Sequence, residues 1–391
     1  MREGVKRFSN VQVYLSREVV EVVQDDDQAV LKVENKQDGS LQTISSLYVV
    51  GCDGGRSMVR RSMEATLVDI GLRQQWLVID IKLKQPVDLP KIGIQYCNPA
   101  RPITYVPMIG DYDRFRWEMM LMPGEQKEEM ERPERVWELL QPWVNPENAE
   151  LERAAVYVFH SVIASHWRKG RILLAGDSAH QTPPFLGQGM CAGIRDAANV
   201  TWKLEMVING KADESLLDTY QSERSPHVHA FIDLATELGK IITVTDPVKA
   251  LERDRKLLEG PTQTLVQPAP SLGAGVHAGG GIGGTIFPQP RLKDGRLLDD
   301  VIGPRFAVIG SSSVIDHVAP ETKQMWNALG AVVLTETDNE IAQVLKDLKA
   351  EVVLLRPDRY VLGAANRSSE LDEVTLLLQQ YLKSSSKSFS K

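Results

Sequence analysis

The chain has 391 residues, 42% of them hydrophobic and 25% charged, so it can bury large cores and is not a disordered tail. Its 45 basic residues against 52 acidic ones give a formal charge of −7, which argues against a nucleic-acid surface. The three cysteines, Cys52, Cys97 and Cys191, lie far apart, which argues against a zinc knuckle, a redox dithiol or a disulfide framework.

The N-terminal MREGVKRFSNVQVYL carries no apolar signal-peptide core, and no apolar run approaches the roughly 18 residues of a membrane span. A cytoplasmic chain without membrane contact is therefore expected. Val11–Leu15, Val19–Gln24 and Ala29–Glu34 read as strands, and Asp38-Gly39 turns the chain into Leu41–Ile44. The continuous apolar run Leu47–Gly51 suits a strand covered on both faces, and it leads through CDGGRSMVRRSM into a short helix. From 64 to about 158 the pattern turns sheet-rich: Leu77–Leu83, Ile92–Tyr96, Ile103–Val106 and Arg114–Met122 read as strands, with only Pro133–Leu140 helical.

Near Gly170 the α/β signal returns with the buried strand Ile172–Ala175. A helix over Ala192–Ile208 stops at Asn209-Gly210, a second covers Ser215–Glu223, and Pro226 opens a third through Leu238. Residues 261–285 form a proline- and glycine-rich connector. The compact α/β unit beyond it alternates Phe306–Ile309, Pro320–Leu329, Val332–Thr335, Glu340–Lys349, the hairpin Val352–Leu355 with Tyr360–Leu362, and Leu371–Leu382. A solvated tail ends the chain.

Gly279-x-Gly281-x-x-Gly284 matches the spacing of a dinucleotide fingerprint, but prolines precede it and TIFPQPRL follows. Neither the strand nor the helix that the fingerprint needs is present, so a flexible linker is the expectation. Gly187-Gln188-Gly189-Met190 differs. Thr182, Pro183 and Pro184 stiffen its approach and a long helix follows, so its first amides can meet a negative or electron-rich group, although an ordinary glycine-rich helix start reads the same way. Asp177 follows a buried strand through Gly176 and falls where α/β sheets hold ligands, or else serves as a turn or N-cap aspartate. Asp53, in GCDGGR, repeats that local pattern. His180 stands without a second ligand at metal spacing, and no nucleophile elbow is present, so no metal site is expected.

GCDGGRSMVRR resembles the DG motif of the group A flavoprotein aromatic hydroxylases, and GRILLAGDSAHQTPPFLGQGMCAGIRDAANVTWKL resembles their GD motif and the helix after it. The C-terminal unit, with FAVIG at 306–310 and VVLLRPDRYVLG at 352–363, is similar to the thioredoxin-like domain of the phenol-hydroxylase branch. PFLGQGMCAGIRDAAN and LLDDVIGPRFAVIG look most like the hydroxylases of 3-(3-hydroxyphenyl)propionate and 3-hydroxycinnamate.

The resemblance implies a mixed α/β chain. It comprises an incomplete Rossmann-like FAD-binding domain (1–63 and 159–240), a sheet-rich substrate domain (64–158), a connector (241–285), a thioredoxin-like domain without a CxxC (286–383) and a disordered tail (384–391). It also implies FAD as cofactor and NADH or NADPH as co-substrate. Oxygen activated on the reduced flavin hydroxylates a phenolic acid ortho to its phenol, with no side chain acting as nucleophile. No nucleic-acid partner is implied, and a homodimer is admitted.

Carried over residue by residue, the FAD contacts would be Asp53, Gly54, Arg56, Leu174, Ala175, Gly176, Asp177, Ser178, Ala179, His180, Pro184, Gly187, Gln188, Gly189 and Met190. Tyr105, Arg116 and Trp117 are candidates to face the substrate ring. The family opens with a strand, a GxGxxG turn and a helix that have no counterpart here, and Met1 falls about a hundred residues into the usual pattern. The sheet is then expected to expose an apolar edge. An active FAD monooxygenase stands beside a truncated, non-catalytic remnant with weak or no FAD binding, and beside a hydroxylase for another phenol such as a resorcinol or polyketide.

Overall fold

The computed structural model describes residues 2–110, 113–261, 269–335 and 339–382. The expected tail from 384 onward and residues 262–268 of the connector lie outside these. Strands β1 (Arg17–Gln24), β2 (Ala29–Asn35) and β3 (Leu41–Ser46) form an antiparallel meander. Its first turn is held by Asp25, whose Oδ1 accepts from the amides of Asp27 and Gln28, both at 2.8 Å. Val11–Leu15 is not a strand. Among the described residues no strand pairs with it, and Val13, Tyr14 and Leu15 are each more than half exposed.

Strand β4 (Val49–Gly51) leads into the helix Met58–Ser62, and β5 (Leu67–Leu83) then leaves for a six-stranded sheet. That sheet also holds β6 (Ile94–Tyr96), β7 (Ile103–Pro107), β8 (Arg114–Met120) and β9 (Ala149–Ala164), in the order β9-β5-β8-β7-β6, with a short sixth strand, His180–Gln181, outside β9. Strand β9 runs unbroken through position 158, where the sequence suggested a domain boundary. A short helix, Lys127–Met130, joins the expected Pro133–Leu140. The period-two alternation gives the sheet two distinct faces. Leu77, Ile79, Tyr105, Phe115 and Trp117 pack beneath Val136 and Leu140, while Trp76 and Met120 on the opposite face meet Phe159, Phe185 and Ile242.

After the short strand β10 (Arg168–Lys169), the chain returns beside β4 as β11 (Ile172–Leu174), parallel to it, with Ile172 opposite Val49 and Leu174 opposite Gly51. Their carboxyl ends therefore point the same way. Strand β4 is the marginal strand of this small sheet, with no strand beyond it among the described residues, so the expected unpaired edge falls there; Val49 and Gly51 are buried and Val50 is partly exposed. Strand β12 (His180–Gln181) pairs with the end of β9 and stitches the second turn to the larger sheet.

The helix Gly189–Ile208 packs along Ser215–Ile242, a single helix with Pro226 inside it rather than two separated by proline. The proline is tolerated because another segment closes on that turn. The Gly273 amide donates to the Glu223 carbonyl at 2.8 Å, and the Ser222 hydroxyl donates to the Ala274 carbonyl at 2.7 Å. Residues 272–284 are thus packed rather than a flexible linker, with Val276 fully buried and the Gly284 amide donating to the Val361 carbonyl. Gly279–Gly284 lies in turns with no helix after it, as its flanking sequence required.

The C-terminal unit is a four-stranded sheet of β13 (Ala307–Gly310), β14 (Val332–Leu334), β15 (Val352–Leu355) and β16 (Val361–Ala365). Its order is β14-β13-β15-β16, with β13 and β14 parallel and the other pairs antiparallel. Helices Pro320–Leu329, Asn339–Asp347 and Ser368–Gln379 flank it, an order and direction that match a thioredoxin-like unit.

Candidate active site

Because β4 and β11 are parallel and in register, the Gly51–Arg56 and Ala175–His180 turns leave the sheet side by side, at the end where open α/β sheets bind ligands. They are bonded directly. The Ala175 amide donates to the Gly51 carbonyl at 3.0 Å, the Gly54 amide donates to Ser178 Oγ at 2.9 Å, and Ser178 Oγ donates to Asp53 Oδ1 at 3.0 Å. Arg60 staples both, donating to the carbonyls of Ser178 at 2.9 Å and Gly55 at 2.8 Å.

Asp53 also takes the Ser57 hydroxyl and the amides of Met58 and Val59, so it caps the short helix from outside its first turn. Partial burial pushes its carboxyl up, but the Ser57 hydroxyl, the Val59 amide and the Ser178 hydroxyl outweigh this and hold it below the usual carboxylate range.

The second turn rests on the helix Gly189–Ile208. Gly176 is left-handed at φ 63°, and a Cβ on Gly193 would lie 3.3 Å from the Gly176 Cα, so a side chain there would push the turn back by a few tenths of an ångström. Beneath the turn is the fully buried Asp196. Its Oδ2 takes the Gly176 amide at 3.0 Å and meets His180 Nε2 at 2.6 Å, while its Oδ1 takes Arg224 Nε at 2.9 Å. Burial opposes the charge on Asp196, but His180 and Arg224 hold it down to about 2.

Gly187 is also left-handed at φ 62°, and Gln188 occupies the N-cap position of the following helix without a side-chain bond to its first amides. A Cβ at Gly54, Gly187 or Gly189 would meet no atom within 4 Å, so these glycines border open space. Gly193 lies four residues, or about 6 Å, along the helix from Gly189, which sets the helix start close to the Asp177 turn. Phe185, in the approach, packs edge-on against Trp76 and Phe159, with centroids at 5.7 and 6.4 Å, and ties the glycine loop to the large sheet. Met190 and Ile194 leave an apolar face exposed at the helix start.

The structure sorts the residues expected at this site. Asp177 is exposed, and its carboxylate has no bond or ion pair among the described residues. Gly54, Arg56, Pro184, Gly187, Gln188, Gly189 and Met190 lie on the two turns and the helix start. Leu174, Ala175 and Ala179 are buried, so only their backbone borders the turn. Ser178 and His180 turn their side chains inward, to Asp53 and to Asp196, because those are the groups that join the turn to the rest of the fold.

Tyr105 and Trp117 do not face a ring site. Both are fully buried on the helix-covered face of the large sheet, and the Tyr105 hydroxyl donates to the Pro90 carbonyl at 2.6 Å, with burial pushing its pKa up to about 12. Arg116 lies on the opposite face but is committed to Asp80 through a bidentate pair at 2.7 and 3.0 Å. Sequence reasoning missed Arg60, Asp196 and Arg224. Asp196 falls within the quoted IRDAAN stretch, but nothing in its spacing marks a partner at Gly176. Among the described residues no cluster of three His, Cys, Asp or Glu could hold a metal, and no helix is long and apolar enough to cross a membrane.

Comparison with known proteins decides the class. Residues 1–235 match the FAD binding domain family, and residues 284–380 match the HcaD C-terminal domain. The chain belongs to the FAD-binding aromatic-hydroxylase family. It is 35% identical over 393 residues to a probable NADH-specific resorcinol 4-hydroxylase of Rhodococcus jostii, which covers 94% of this chain and 72% of that protein. It is 34% identical over 410 residues to a 3-(3-hydroxy-phenyl)propionate/3-hydroxycinnamic acid hydroxylase of Escherichia coli, covering 93% and 72%.

Among solved structures, aklavinone-11 hydroxylase in a ternary complex with FAD and aklavinone shares the fold with a TM-score of 0.74 at 23% identity, over 93% of this chain and 74% of that one. Anhydrotetracycline hydroxylase from Streptomyces rimosus does so at 0.70 and 20%, over 95% and 76%. The enzyme is a flavin-dependent monooxygenase of this family, with FAD as its cofactor.

Proposed function

We propose that the paired turns and the helix start seat FAD, and that the enzyme hydroxylates a phenolic ring, drawing its reducing equivalents from NADH. Asp177 accepts hydrogen bonds from ribityl hydroxyls, for which its exposed, unpartnered carboxylate is suited. The first amides of Gly189–Ile208 would border the flavin, where the positive helix end would favour an anionic reduced ring by about 0.3–1 kcal/mol. FAD bound there would supply the redox chemistry of the hydroxylation, with NADH as the source of electrons. The chain's own task is to fix that ring and to shield it from water on the side of the six-stranded sheet.

Residues 1–63 and 159–240 then form the FAD part, 64–158 the substrate-bearing sheet and 286–383 a thioredoxin-like appendage. One observation carries the reading: Ser178 bridges Asp53 and the Gly54 amide, which brings two turns from distant parts of the chain to one place. For substrate, we propose a phenolic acid such as 3-(3-hydroxyphenyl)propionate or 3-hydroxycinnamate, since a named hydroxylase of these matches nearly the whole chain, with resorcinol as the second choice on the same ground. The test is NADH and NADPH oxidation with oxygen uptake and product identification across these three phenols. Substrate-dependent formation of a catechol-type product supports the proposal; NADH oxidation without a hydroxylated product, or none at all, overturns it.

A further inference from the structure

We propose that Asp196 is a positioning residue that sets the Asp177 turn for FAD, an inference that rests on the FAD seat proposed above. The Asp196 carboxylate grips both ends of that turn. Its Oδ2 accepts from the Gly176 amide at 3.0 Å and bonds His180 Nε2 at 2.6 Å, and Asp177 lies between them. The same carboxylate is anchored from behind by Arg224 of the neighbouring long helix, through Oδ1 at 2.9 Å.

All three side chains are essentially inaccessible to solvent, Asp196 and Arg224 at 0% and His180 at 1%. Gly176 is held left-handed with its Cα against Gly193, one helical turn before Asp196 on the same helix. The helix therefore fixes the turn twice, once by contact and once by charge. Among the described residues the Asp177 carboxylate makes no bond, so its backbone places it, and the backbone on either side of it is placed by Asp196.

A carboxylate meets three donors here with acceptor oxygens only. An asparagine in its place would turn an amide group toward one of them and could not hold all three. A buried ion pair kept only for stability would lower stability when broken but would leave the contribution of Asp177 to FAD binding intact. A positioning residue couples the two.

The experiment is a double-mutant cycle on the full chain with Asp177→Asn and Asp196→Asn. It reads the FAD dissociation constant by flavin fluorescence and the urea midpoint of each apoprotein. Each single substitution is expected to weaken FAD binding by at least tenfold, and the double variant to bind no more weakly than the weaker single one, because Asp177 has no position left to lose.

Factors that multiply in the double variant overturn the proposal, as does an Asp196→Asn protein whose urea midpoint falls while its FAD affinity holds. If Asp196→Asn does not fold, His180→Gln, which frees one end of the turn, takes its place in the same cycle with the same expectations. Should Asp177→Asn leave FAD affinity unchanged, the proposed FAD contact fails and this inference fails with it; should Asp177→Asn weaken binding and the cycle multiply, only this inference fails.

Discussion

Arg356 and Glu223, 133 residues apart in sequence, form a fully buried fork: the guanidinium reaches the two carboxylate oxygens at 2.9 and 2.8 Å. Lys203 Nζ and Asn199 Nδ2 add bonds to the same carboxylate at 2.8 Å each, and Asp358 closes on Arg356 from the far side. This cluster joins the C-terminal unit to the two long helices behind the paired Gly51–Arg56 and Ala175–His180 turns. Breaking one partner strands a buried charge, so Arg356→Met or Glu223→Gln is expected to cost about 3–5 kcal/mol, measured by urea denaturation. An effect below about 1 kcal/mol would show that solvent reaches the cluster.

Much of this architecture was legible in the sequence, because short-range signals specify it. Apolar runs gave the strands around the two turns, and the GCDGG and LAGDSAH stretches located the turns themselves. What was not legible depended on distant partners. Pro226 reads as a helix break unless one knows that Gly273 and Ala274 cover the turn it opens. Val11–Leu15 has a strand's composition but no strand beside it among the described residues.

Tyr105 and Trp117 alternate as strand residues should, but alternation does not say which face turns toward the cleft and which lies beneath a helix. His180 and Ser178 belong to the motif, yet their side chains serve its attachment to the fold. The buried charges Lys203, Glu223 and Arg356 left no mark in the sequence, because a single chain does not reveal which cation meets which anion.

Acid should weaken the fold in part through His227. Burial, and then the charges of Arg224 and Arg195, push its pKa down to about 3, so the native chain takes up this proton later than the unfolded chain does. Between about pH 6.5 and pH 3 the unfolded state binds the extra proton, so stability falls as pH falls across that window, by about 1.4 kcal/mol per pH unit at its steepest. His227→Gln should flatten this part of a stability–pH curve measured by denaturant titration. An unchanged slope would show that the imidazole is protonated in the native state.

The glycine contact under the Asp177 turn sets another expectation. Valine at Gly193 would press into the Gly176 backbone, and overpacking of this kind costs about 1–3 kcal/mol. Gly193→Val should therefore lower the stability of the apoprotein in urea by that amount and, by displacing the Asp177 turn, weaken FAD binding in a fluorescence titration; no change in either would show that the turn yields freely.

On the large sheet, Trp117 acts as core. Trp117→Ala should destabilise by about 3–5 kcal/mol, whereas Trp117→Phe should fold and leave KM for the phenol unchanged. A large rise in KM for Trp117→Phe would place this side chain at the ring after all.

Equilibrium titration of the purified chain with FAD, followed by quenching of flavin fluorescence and by the flavin absorbance of the recovered protein, tests the FAD seat most directly. A saturable complex with one FAD per chain is predicted, lost or much weakened when Asp177 and Asp53 are both replaced by asparagine. A wild-type protein that takes up no FAD, or that binds it as well after both replacements, would contradict it.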